Sequence, residues 1–168
     1  MDDYLRLIDK QTQGRRYDVT PLFANFQAFS ALVEDLIHPF AKIKFDCVAG
    51  IDALGFILGA AIAVRLEKGF VPIRKGGKLP VRTDVAEFVD YTAQNKSLEL
   101  KVGAIRAGTR VLVVDEWVET GAQVQAAIEL GEKQGGVVIG VATINIDDNA
   151  VTRQLRNKYQ CHSVWRND

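Results

Sequence analysis

Residues 110 to 123 read Arg-Val-Leu-Val-Val-Asp-Glu-Trp-Val-Glu-Thr-Gly-Ala-Gln and are the most informative part of this chain. Four apolar residues, 111 to 114, lead directly into an acidic pair, Asp115 and Glu116. An uninterrupted apolar run is typical of a strand that is buried on both faces of a parallel sheet. Open α/β sheets bind their ligands at the carboxyl ends of such strands, so the acidic pair is a candidate binding site.

A turn and a helix are predicted directly after the acidic pair. Glu119, Thr120 and Gly121 form the turn, and the helix is predicted from about Ala122 to Gln134. Small and hydroxyl residues that enter a helix leave backbone N–H groups free at its positive end, where phosphate groups bind. The stretch therefore predicts a sugar-phosphate site, with carboxylates for the hydroxyls and amides for the phosphate. A strand, turn and helix without a ligand is the alternative.

The composition indicates a protein without a strong overall electrostatic field. The 168 residues carry 21 basic and 21 acidic side chains, so neither nucleic acid nor an anionic membrane is an expected partner. Cys47 lies far from Cys161 and His38 far from His162, so neither pair has the spacing of a metal centre. No apolar stretch reaches the length of a membrane span, about 18 residues. We therefore expect a cytoplasmic protein that holds an anion through a local cluster.

Strand-like and helix-like segments alternate along most of the chain. The apolar patterns predict strands at 45–49, 70–73, 111–114 and 137–146, and helices at 22–38, 56–66, 122–134 and 149–159. A hairpin partner is possible at 98–102, and an edge strand at 162–165. Such alternation implies right-handed crossovers and a mostly parallel sheet with helices on both faces. Because this length fits one core, a single α/β domain is predicted over residues 1–168.

A basic cluster follows the predicted strand at 70–73. Arg74, Lys75 and Lys78 lie within five residues and are separated by two glycines. Arginine can hold phosphate oxygens with two parallel hydrogen bonds and lysine adds a point charge, so the cluster is typical of a flexible anion clamp. It is predicted at the same edge of the sheet as Asp115, which favours a binding role. An ordinary solvated loop is the alternative.

Three further segments could surround this site. The loop that contains Asp52, Ala53 and Leu54 has a glycine at each end, which lets the backbone approach a ligand closely. The polar segment 81–95 is a candidate lid. A simple strand-to-helix connection and a disordered surface loop are the respective alternatives. Residues 14–18 are partly basic and could form a surface patch.

Taken together, these segments resemble a known family. The stretch from the buried strand to Thr-Gly resembles the phosphoribosyl-pyrophosphate (PRPP) motif of type I phosphoribosyltransferases. Within that family the chain is most similar to the adenine phosphoribosyltransferase subgroup. Further matching segments stand in the family's order and approximate spacing, at 17–20, 48–56, 71–80 and 90–91. The resemblance spans roughly residues 14–165, and the Arg-Lys-Gly-Gly-Lys-Leu-Pro stretch is its most subgroup-specific part.

The resemblance implies roles for the matching residues. The ribose hydroxyls would be held by Asp115 and Glu116, and the 5′-phosphate by Glu119, Thr120, Gly121, Ala122 and Gln123. Pyrophosphate would be bound by Asp52, Ala53, Leu54, Arg74, Lys75 and Lys78, and the nucleobase by Arg15, Arg16 and Tyr17. The catalytic residues would be Glu119, Lys78, Asp90 and Tyr91, the last two on the lid.

The resemblance also implies a fold, an activity and partners. The expected fold is the type I phosphoribosyltransferase fold, a mostly parallel central sheet flanked by helices, with a small N-terminal hood. The expected reaction transfers the phosphoribosyl group from PRPP to a purine-like base, with adenine as the first candidate, and gives a nucleoside monophosphate and pyrophosphate. Mg²⁺ would be the cofactor, held mainly by PRPP oxygens and water rather than by side chains. A homodimer is expected.

Departures from the family pattern keep a second function open. Leu54 stands where the family usually has arginine, and Ala122 and Gln123 replace the glycine and threonine of the phosphate turn. Residues 15–17 also differ from the usual base-binding sequence. The changes at 15–17 leave open a base other than adenine. Leu54, Ala122 and Gln123 favour a non-catalytic protein that binds PRPP or a nucleotide as a sensor or regulator. The features that favour the enzyme are the intact pair Asp115-Glu116, Lys75, Lys78 and the pair Asp90-Tyr91.

Overall fold

The computed structural model describes residues 3–13 and 16–165. The helices are α1 (Thr20–Ala24), α2 (Phe26–Ile37), α3 (Leu54–Arg65), α4 (Ala122–Lys133) and α5 (Ala150–Lys158), with short 3₁₀ helices at Asp3–Leu7 and His38–Phe40. The strands are β1 (Cys47–Ile51), β2 (Gly69–Lys75), β3 (Thr83–Val89), β4 (Asn95–Lys101), β5 (Arg110–Val114), β6 (Trp117–Val118), β7 (Val137–Thr143), β8 (Asn145–Ile146) and β9 (Gln160–Ser163).

The main sheet has seven strands in the order β3-β4-β2-β1-β5-β7-β9. The strands from β2 to β9 in this order run parallel, whereas β4 pairs antiparallel with both β2 and β3. β6 and β8 form a separate parallel pair that follows β5 and β7 in the chain. The predicted fold class, a mostly parallel sheet flanked by helices, is confirmed.

Strand β5 explains why helices cover both faces of the sheet. Its side chains alternate between two apolar clusters, with Val111 and Val113 in one and Leu112 and Val114 in the other. Each of the four is no more than 1% exposed. The first cluster contains residues of α4, and the second contains residues of α2 and α3. A wholly apolar strand needs this double cover, as its sequence predicted.

Residues 81–95 are not the long polar loop that the sequence predicted. Seven of its fifteen residues form β3, which pairs with β4 along its whole length to form a hairpin. β3 is an edge strand of the sheet, and Val85 and Val89 are about half exposed, at 49% and 50%. An edge strand is held by backbone hydrogen bonds on one side and tolerates polar side chains, so the composition concealed it.

Two predicted elements are divided in the structure. The helix predicted at 22–38 is two helices, because Asn25 caps α2 by accepting a hydrogen bond from the Ala28 N–H at 2.9 Å. The strand predicted at 137–146 is β7 followed by β8. The helix predicted at 56–66 begins earlier, with the first residue of α3.

The N-terminal segment forms a small hood over the carboxyl edge of the sheet. The backbones of Asp9 and Asp18 pair through two hydrogen bonds of 2.9 Å, and the loop between them carries Arg16. We call its described residues, 9–13 and 16–18, the hood, and Arg16 in it lies near the carboxyl ends of the strands. Among the residues described above, no helix combines the length and apolar character needed to cross a bilayer.

Candidate active site

A cleft of about 560 Å³ lies at the carboxyl ends of β1, β2 and β5 and is bounded by the β3–β4 hairpin. Such a position is expected for a ligand site in a parallel sheet. The lining comes from Arg16 of the hood, the loop 52–54, residues 75–76, the hairpin between 88 and 97, and the stretch between 115 and 124. The segments that the sequence singled out separately therefore meet in one place.

Asp115 lies at the end of β5 and is almost completely buried, with 6% of its surface exposed. Its Oδ1 accepts a hydrogen bond from the Glu116 backbone N–H at 2.8 Å, and its Oδ2 accepts one from Gln123 Nε2 at 3.1 Å. Burial raises the pKa of Asp115 to about 7, because these contacts do not replace the hydration that the ionised form loses. The negative charge of Glu116 acts in the same direction.

Glu116 is buried in a similar way, with 5% of its surface exposed. Its backbone carbonyl is fixed by the Thr143 hydroxyl at 2.7 Å and the Ile144 N–H at 3.0 Å. Burial raises the pKa of the Glu116 carboxyl to about 7, although the positive charge of Arg16 opposes this. Two adjacent carboxyl groups that are costly to ionise are suited to receive hydroxyl donors from a ligand.

Gly121 shapes the turn between the acidic pair and α4. Its φ is +85°, a left-handed conformation that glycine adopts without strain, and α4 begins at Ala122. Gly121 has no side chain with which to cap the free N–H groups of the first turn, whereas α2 and α5 have the caps Asn25 and Asn149. An uncapped helix end beside a cleft is suited to bind phosphate. Ala122 is helical, so its Cβ carries no left-handed strain.

Gln123 links the predicted phosphate turn to the acidic pair through its hydrogen bond to Asp115. Thr120, which is exposed, accepts a hydrogen bond at Oγ1 from the Ala122 N–H at 3.3 Å. Four of the five predicted phosphate residues line the cleft, and Ala122 lies outside its lining. The turn and the acidic pair are therefore parts of one surface.

Arg16 and Glu119 form an ion pair at the cleft. Arg16 Nε and Nη2 donate to the two Glu119 carboxylate oxygens at 2.6 and 2.7 Å, the geometry of the strongest arginine–carboxylate pairs. The hydrogen bond with Glu119 raises the pKa of Arg16 further above its usual value. The guanidinium carbon also lies 5.0 Å from the centre of the Tyr91 ring. The sequence singled out all three residues but did not predict that they meet.

The loop before α3 lines the cleft through Asp52, Ala53 and Leu54, the residues for which the resemblance implies a pyrophosphate role. The peptide bond between Asp52 and Ala53 is cis. α3 starts at Leu54 without a side-chain cap. A Cβ on Gly55 would lie 2.7 Å from the carbonyl oxygen of Val114, so glycine is needed for α3 to pack against the end of β5.

The predicted basic clamp is only partly directed at the cleft. Lys75 lines it, whereas Arg74 and Lys78 lie outside its lining. Arg74 Nε is buried and lies 3.7 Å from Asp52 Oδ2, too far for a hydrogen bond. The backbone N–H of Lys78 donates to Glu99 Oε1 at 2.6 Å, and this hydrogen bond fixes the loop that follows β2. The Lys78 side chain is exposed. Glu99 is 4% exposed and was not predicted from the sequence.

Asp90 and Tyr91 lie at the end of the hairpin and line the cleft. Asp90 Oδ1 accepts hydrogen bonds from the Thr92 N–H, the Thr92 hydroxyl and the Gln94 N–H, at 2.8, 2.6 and 3.1 Å. The hydrogen bond from the Thr92 hydroxyl lowers the pKa of Asp90. Asp90 therefore shapes the hairpin turn in addition to any catalytic part, and Tyr91 remains 48% exposed.

The sequence missed aromatic and hairpin residues of the cleft. Trp117 and Phe88 line it, as do Asn95, Lys96 and Ser97. What they share is position, because they flank the acidic pair or lie on the β3–β4 hairpin, of which only the second strand was predicted, at 98–102. Tyr17, a predicted base-binding residue, lies behind Trp117 with ring centres 5.6 Å apart, and it is absent from the described lining. Arg15 lies outside the described residues.

The model of the phosphoribosyl transferase domain family matches residues 22–165. The chain therefore belongs to the phosphoribosyltransferase family, and the resemblance and enzyme class predicted from the sequence are confirmed.

The relatives narrow the comparison to one branch of this family. An adenine phosphoribosyltransferase from Cereibacter sphaeroides is 45% identical over 145 residues, which cover 84% of this chain and 80% of the relative. The solved adenine phosphoribosyltransferase of Thermoanaerobacter pseudethanolicus matches with a TM-score of 0.87 and 31% identity, over 96% of each chain. The enzyme of Saccharomyces cerevisiae, solved in complex with adenine, matches with a TM-score of 0.81 and 25% identity, over 96% of this chain and 98% of that one.

Proposed function

We propose that this chain transfers the phosphoribosyl group of PRPP to adenine, forming adenosine monophosphate and pyrophosphate. Its similarity to relatives named adenine phosphoribosyltransferase supports the base. The observation that carries the reaction is the buried acidic pair, Asp115 and Glu116, followed in the same cleft by the uncapped start of α4.

In this proposal the residues of the cleft divide the substrate between them. The ribose hydroxyls donate to the carboxylates of Asp115 and Glu116. These hydrogen bonds replace the hydration that the two carboxylates lost on burial. The 5′-phosphate accepts hydrogen bonds from the backbone N–H groups that follow Gly121. Lys75 and the amides of the loop 52–54 face the pyrophosphate. These contacts hold C1 of the ribose in a fixed position beside the base.

The reaction breaks the bond between C1 and the pyrophosphate oxygen while a ring nitrogen of adenine bonds to C1. The pyrophosphate keeps the electron pair, and the proton on the attacking nitrogen is released. Positive charge develops on the ribose ring in an oxocarbenium-like state, as in glycoside cleavage. The ionised carboxylates of Asp115 and Glu116 stabilise this charge, and the hairpin that carries Asp90 and Tyr91 covers the reacting atoms.

We include Mg²⁺ as the cofactor in this proposal. Within the described residues, no group of three or more His, Cys, Asp or Glu side chains could hold a metal ion by itself. This fits an ion that keeps several waters and reaches the cleft with substrate oxygens, beside the carboxylates of Asp115 and Glu116. When bound, Mg²⁺ would neutralise part of the charge of the departing pyrophosphate.

A homodimer and a cytoplasmic location complete the proposal. Ile57 and Val64 are seven residues apart on α3, so they share one face of the helix, and they are 44% and 80% exposed. Exposed apolar residues on one helix face support contact with a second copy. Both cysteines are free, in keeping with a reducing compartment. Light scattering at several concentrations would measure the oligomeric state.

A second candidate function is a sensor that binds PRPP or a nucleotide without catalysis. The observation that favours it is Leu54, an apolar side chain at the pyrophosphate side of the cleft, where the family usually carries arginine. In a sensor the ligand would bind and dissociate unchanged, because no arginine at position 54 would stabilise the negative charge of the departing pyrophosphate.

One assay separates these two functions. Pyrophosphate release from PRPP is measured with Mg²⁺ in the presence of adenine, guanine, hypoxanthine, xanthine, uracil or orotate, with nucleotide formation followed in parallel. Release and adenosine monophosphate formation with adenine are expected. Transfer to another base and not to adenine would overturn the assigned substrate. Silence with every base, together with PRPP binding by calorimetry, would identify the sensor.

A further inference from the structure

Arg16 is presented to the cleft by a defined piece of the hood. The paired backbones of Asp9 and Asp18 close the loop, and the Thr12 hydroxyl donates to the Arg16 carbonyl at 2.7 Å. These contacts orient the Arg16 backbone, although its side chain is 41% exposed. The guanidinium therefore extends over the cleft from a supported loop.

Glu119 is the anchored partner of this guanidinium. Its side chain is only 10% exposed, and its backbone carbonyl accepts a hydrogen bond from Asn149 Nδ2 at 2.7 Å. Asn149 is the N-cap of α5, so the position of Glu119 is tied to the body of the domain. The contact between Arg16 and the Tyr91 ring then connects the anchored carboxylate to the end of the hairpin.

We propose that Arg16 is a positioning residue that ties the hairpin to the phosphate turn and so keeps water away from C1 during transfer. This inference rests on the proposed function. We call Arg16 with its contacts to Glu119 and Tyr91 the Arg16 bridge. A planar guanidinium is suited to this role because it can hold a carboxylate with two hydrogen bonds and contact an aromatic face at the same time.

The Arg16 bridge also explains why a carboxylate, Glu119, stands in the turn that is proposed to bind phosphate. A carboxylate in a turn that receives a phosphate would repel it, and the two hydrogen bonds with Arg16 offset that charge. Glu119 then acts through Arg16 rather than by taking a proton from the base. When the bridge is broken, water can replace the base as the nucleophile, which gives ribose 5-phosphate, pyrophosphate and a proton.

Three variants test the bridge, namely Arg16→Lys, Glu119→Gln and the double variant. The control is Arg153→Lys. Arg153 is another exposed arginine that holds a carboxylate with two hydrogen bonds, and its partner is Asp148, five residues earlier in the chain. Amide hydrogen exchange of residues 90–95 is measured without substrate. Exchange is expected to rise about two- to fivefold in each single variant, the range for one exposed ion pair, and not in the control. The double variant should exchange no faster than either single variant.

The ratio of pyrophosphate released to nucleotide formed is the second measurement. The ratio should be one in the unaltered protein and should exceed one in each single variant. PRPP affinity of Glu119→Gln should be unchanged or higher, because a negative charge near the phosphate is gone, whereas a general loss of structure would lower it. Unchanged hairpin exchange, a ratio of one in both single variants, or single effects that add in the double variant would each overturn the bridge. Altered exchange in a protein that forms no nucleotide with any base would refute the proposed function and leave the coupling of hood, hairpin and turn standing.

Discussion

Two adjacent carboxyl groups dominate the chemistry of the cleft at the scale of single residues. Burial raises the pKa of both Asp115 and Glu116 to about 7, so ionising them at neutral pH costs free energy in the absence of a ligand. Hydroxyl donors offset that cost when they bind. Ionisation of the two carboxyl groups therefore destabilises the free protein locally, and bound hydroxyl groups reduce this cost.

The first prediction concerns stability and pH. Asp115 has a folded-state pKa above the value of about 4 for an unfolded chain, so its stabilising contribution is full below pH 4 and is lost as the pH rises through about 7. The free energy of unfolding should fall between pH 5 and 8, and Asp115→Asn should remove part of the fall, on the order of 1 to 4 kcal/mol. Urea unfolding at several pH values measures it.

Asp148→Asn is the control for this prediction. Asp148 is exposed, and its hydrogen bond with Arg153 lowers the pKa of its carboxyl, so this variant should not flatten the pH dependence. Unfolding curves of Asp115→Asn that run parallel to those of the unaltered protein from pH 5 to 8 would refute the assigned pKa.

The second prediction concerns Leu54. It begins α3, lines the part of the cleft proposed to bind pyrophosphate and is partly buried. Leu54→Arg should supply a charge-assisted hydrogen bond to pyrophosphate and increase PRPP affinity about tenfold, although a cation at a helix N-terminus reduces this gain. Calorimetry with PRPP measures the affinity, and Leu54→Met is the neutral control. Equal affinities in the two variants would show that Leu54 is not beside the pyrophosphate.

At the scale of elements, the starts of two helices distinguish this cleft from the rest of the fold. α3 and α4 both begin at its edge, and their N-cap residues are Ala53 and Gly121. α2 and α5 begin with asparagine side chains that accept backbone hydrogen bonds. The N-cap side chains thus satisfy backbone N–H groups of α2 and α5, whereas Ala53 and Gly121 supply no such cap at the cleft, where an anion is expected.

The third prediction concerns the turn before α4. Gly121→Ala places a Cβ in a left-handed residue and only 2.9 Å from Val151 Cγ1. Gly108→Ala is the matched control, because Gly108 has φ +82° and open space around the added atom. Both variants should lose about 1–2 kcal/mol from the backbone. Gly121→Ala should lose about 1–3 kcal/mol more from overpacking, as measured by urea unfolding. Equal losses would mean that α5 moves away freely.

At the scale of the whole molecule, β5 joins two apolar clusters into one cooperative unit. Its side chains alternate between them, so neither cluster can be lost without exposing one side of the same strand. The separate faces of the sheet should therefore unfold together.

The fourth prediction tests this cooperativity. Leu112→Ala removes apolar atoms from one cluster and Leu130→Ala removes them from the other. Both leucines are fully buried. Each should lower the free energy of unfolding by about 2–5 kcal/mol. Tryptophan fluorescence and far-UV circular dichroism should report one coincident transition in urea for each variant. Two separated transitions in either variant would contradict a single domain.

Much of the site was predictable because its parts are local. The strand, the acidic pair, the turn at Gly121 and the loop 52–54 are each continuous in sequence, and each lies where its pattern placed it. The hairpin partner predicted at 98–102 is β4, but β3 was mispredicted as a polar loop, because an edge strand needs backbone partners more than apolar side chains. Glu99 was missed because nothing near it in sequence indicates that it holds the loop at Lys78.

By itself the sequence determined the layered α/β fold, the buried strand β5 and the acids at its end, because hydrophobic periodicity and turn chemistry act over a few residues. Only the tertiary structure decided which charged groups meet. Arg16 and Glu119 are separated by 103 residues, and their pairing follows from where the hood and the phosphate turn come to lie. It likewise left Arg74 and Lys78 outside the cleft lining and raised the pKa of the acidic pair, because burial and long-range contacts exist only once the chain has folded.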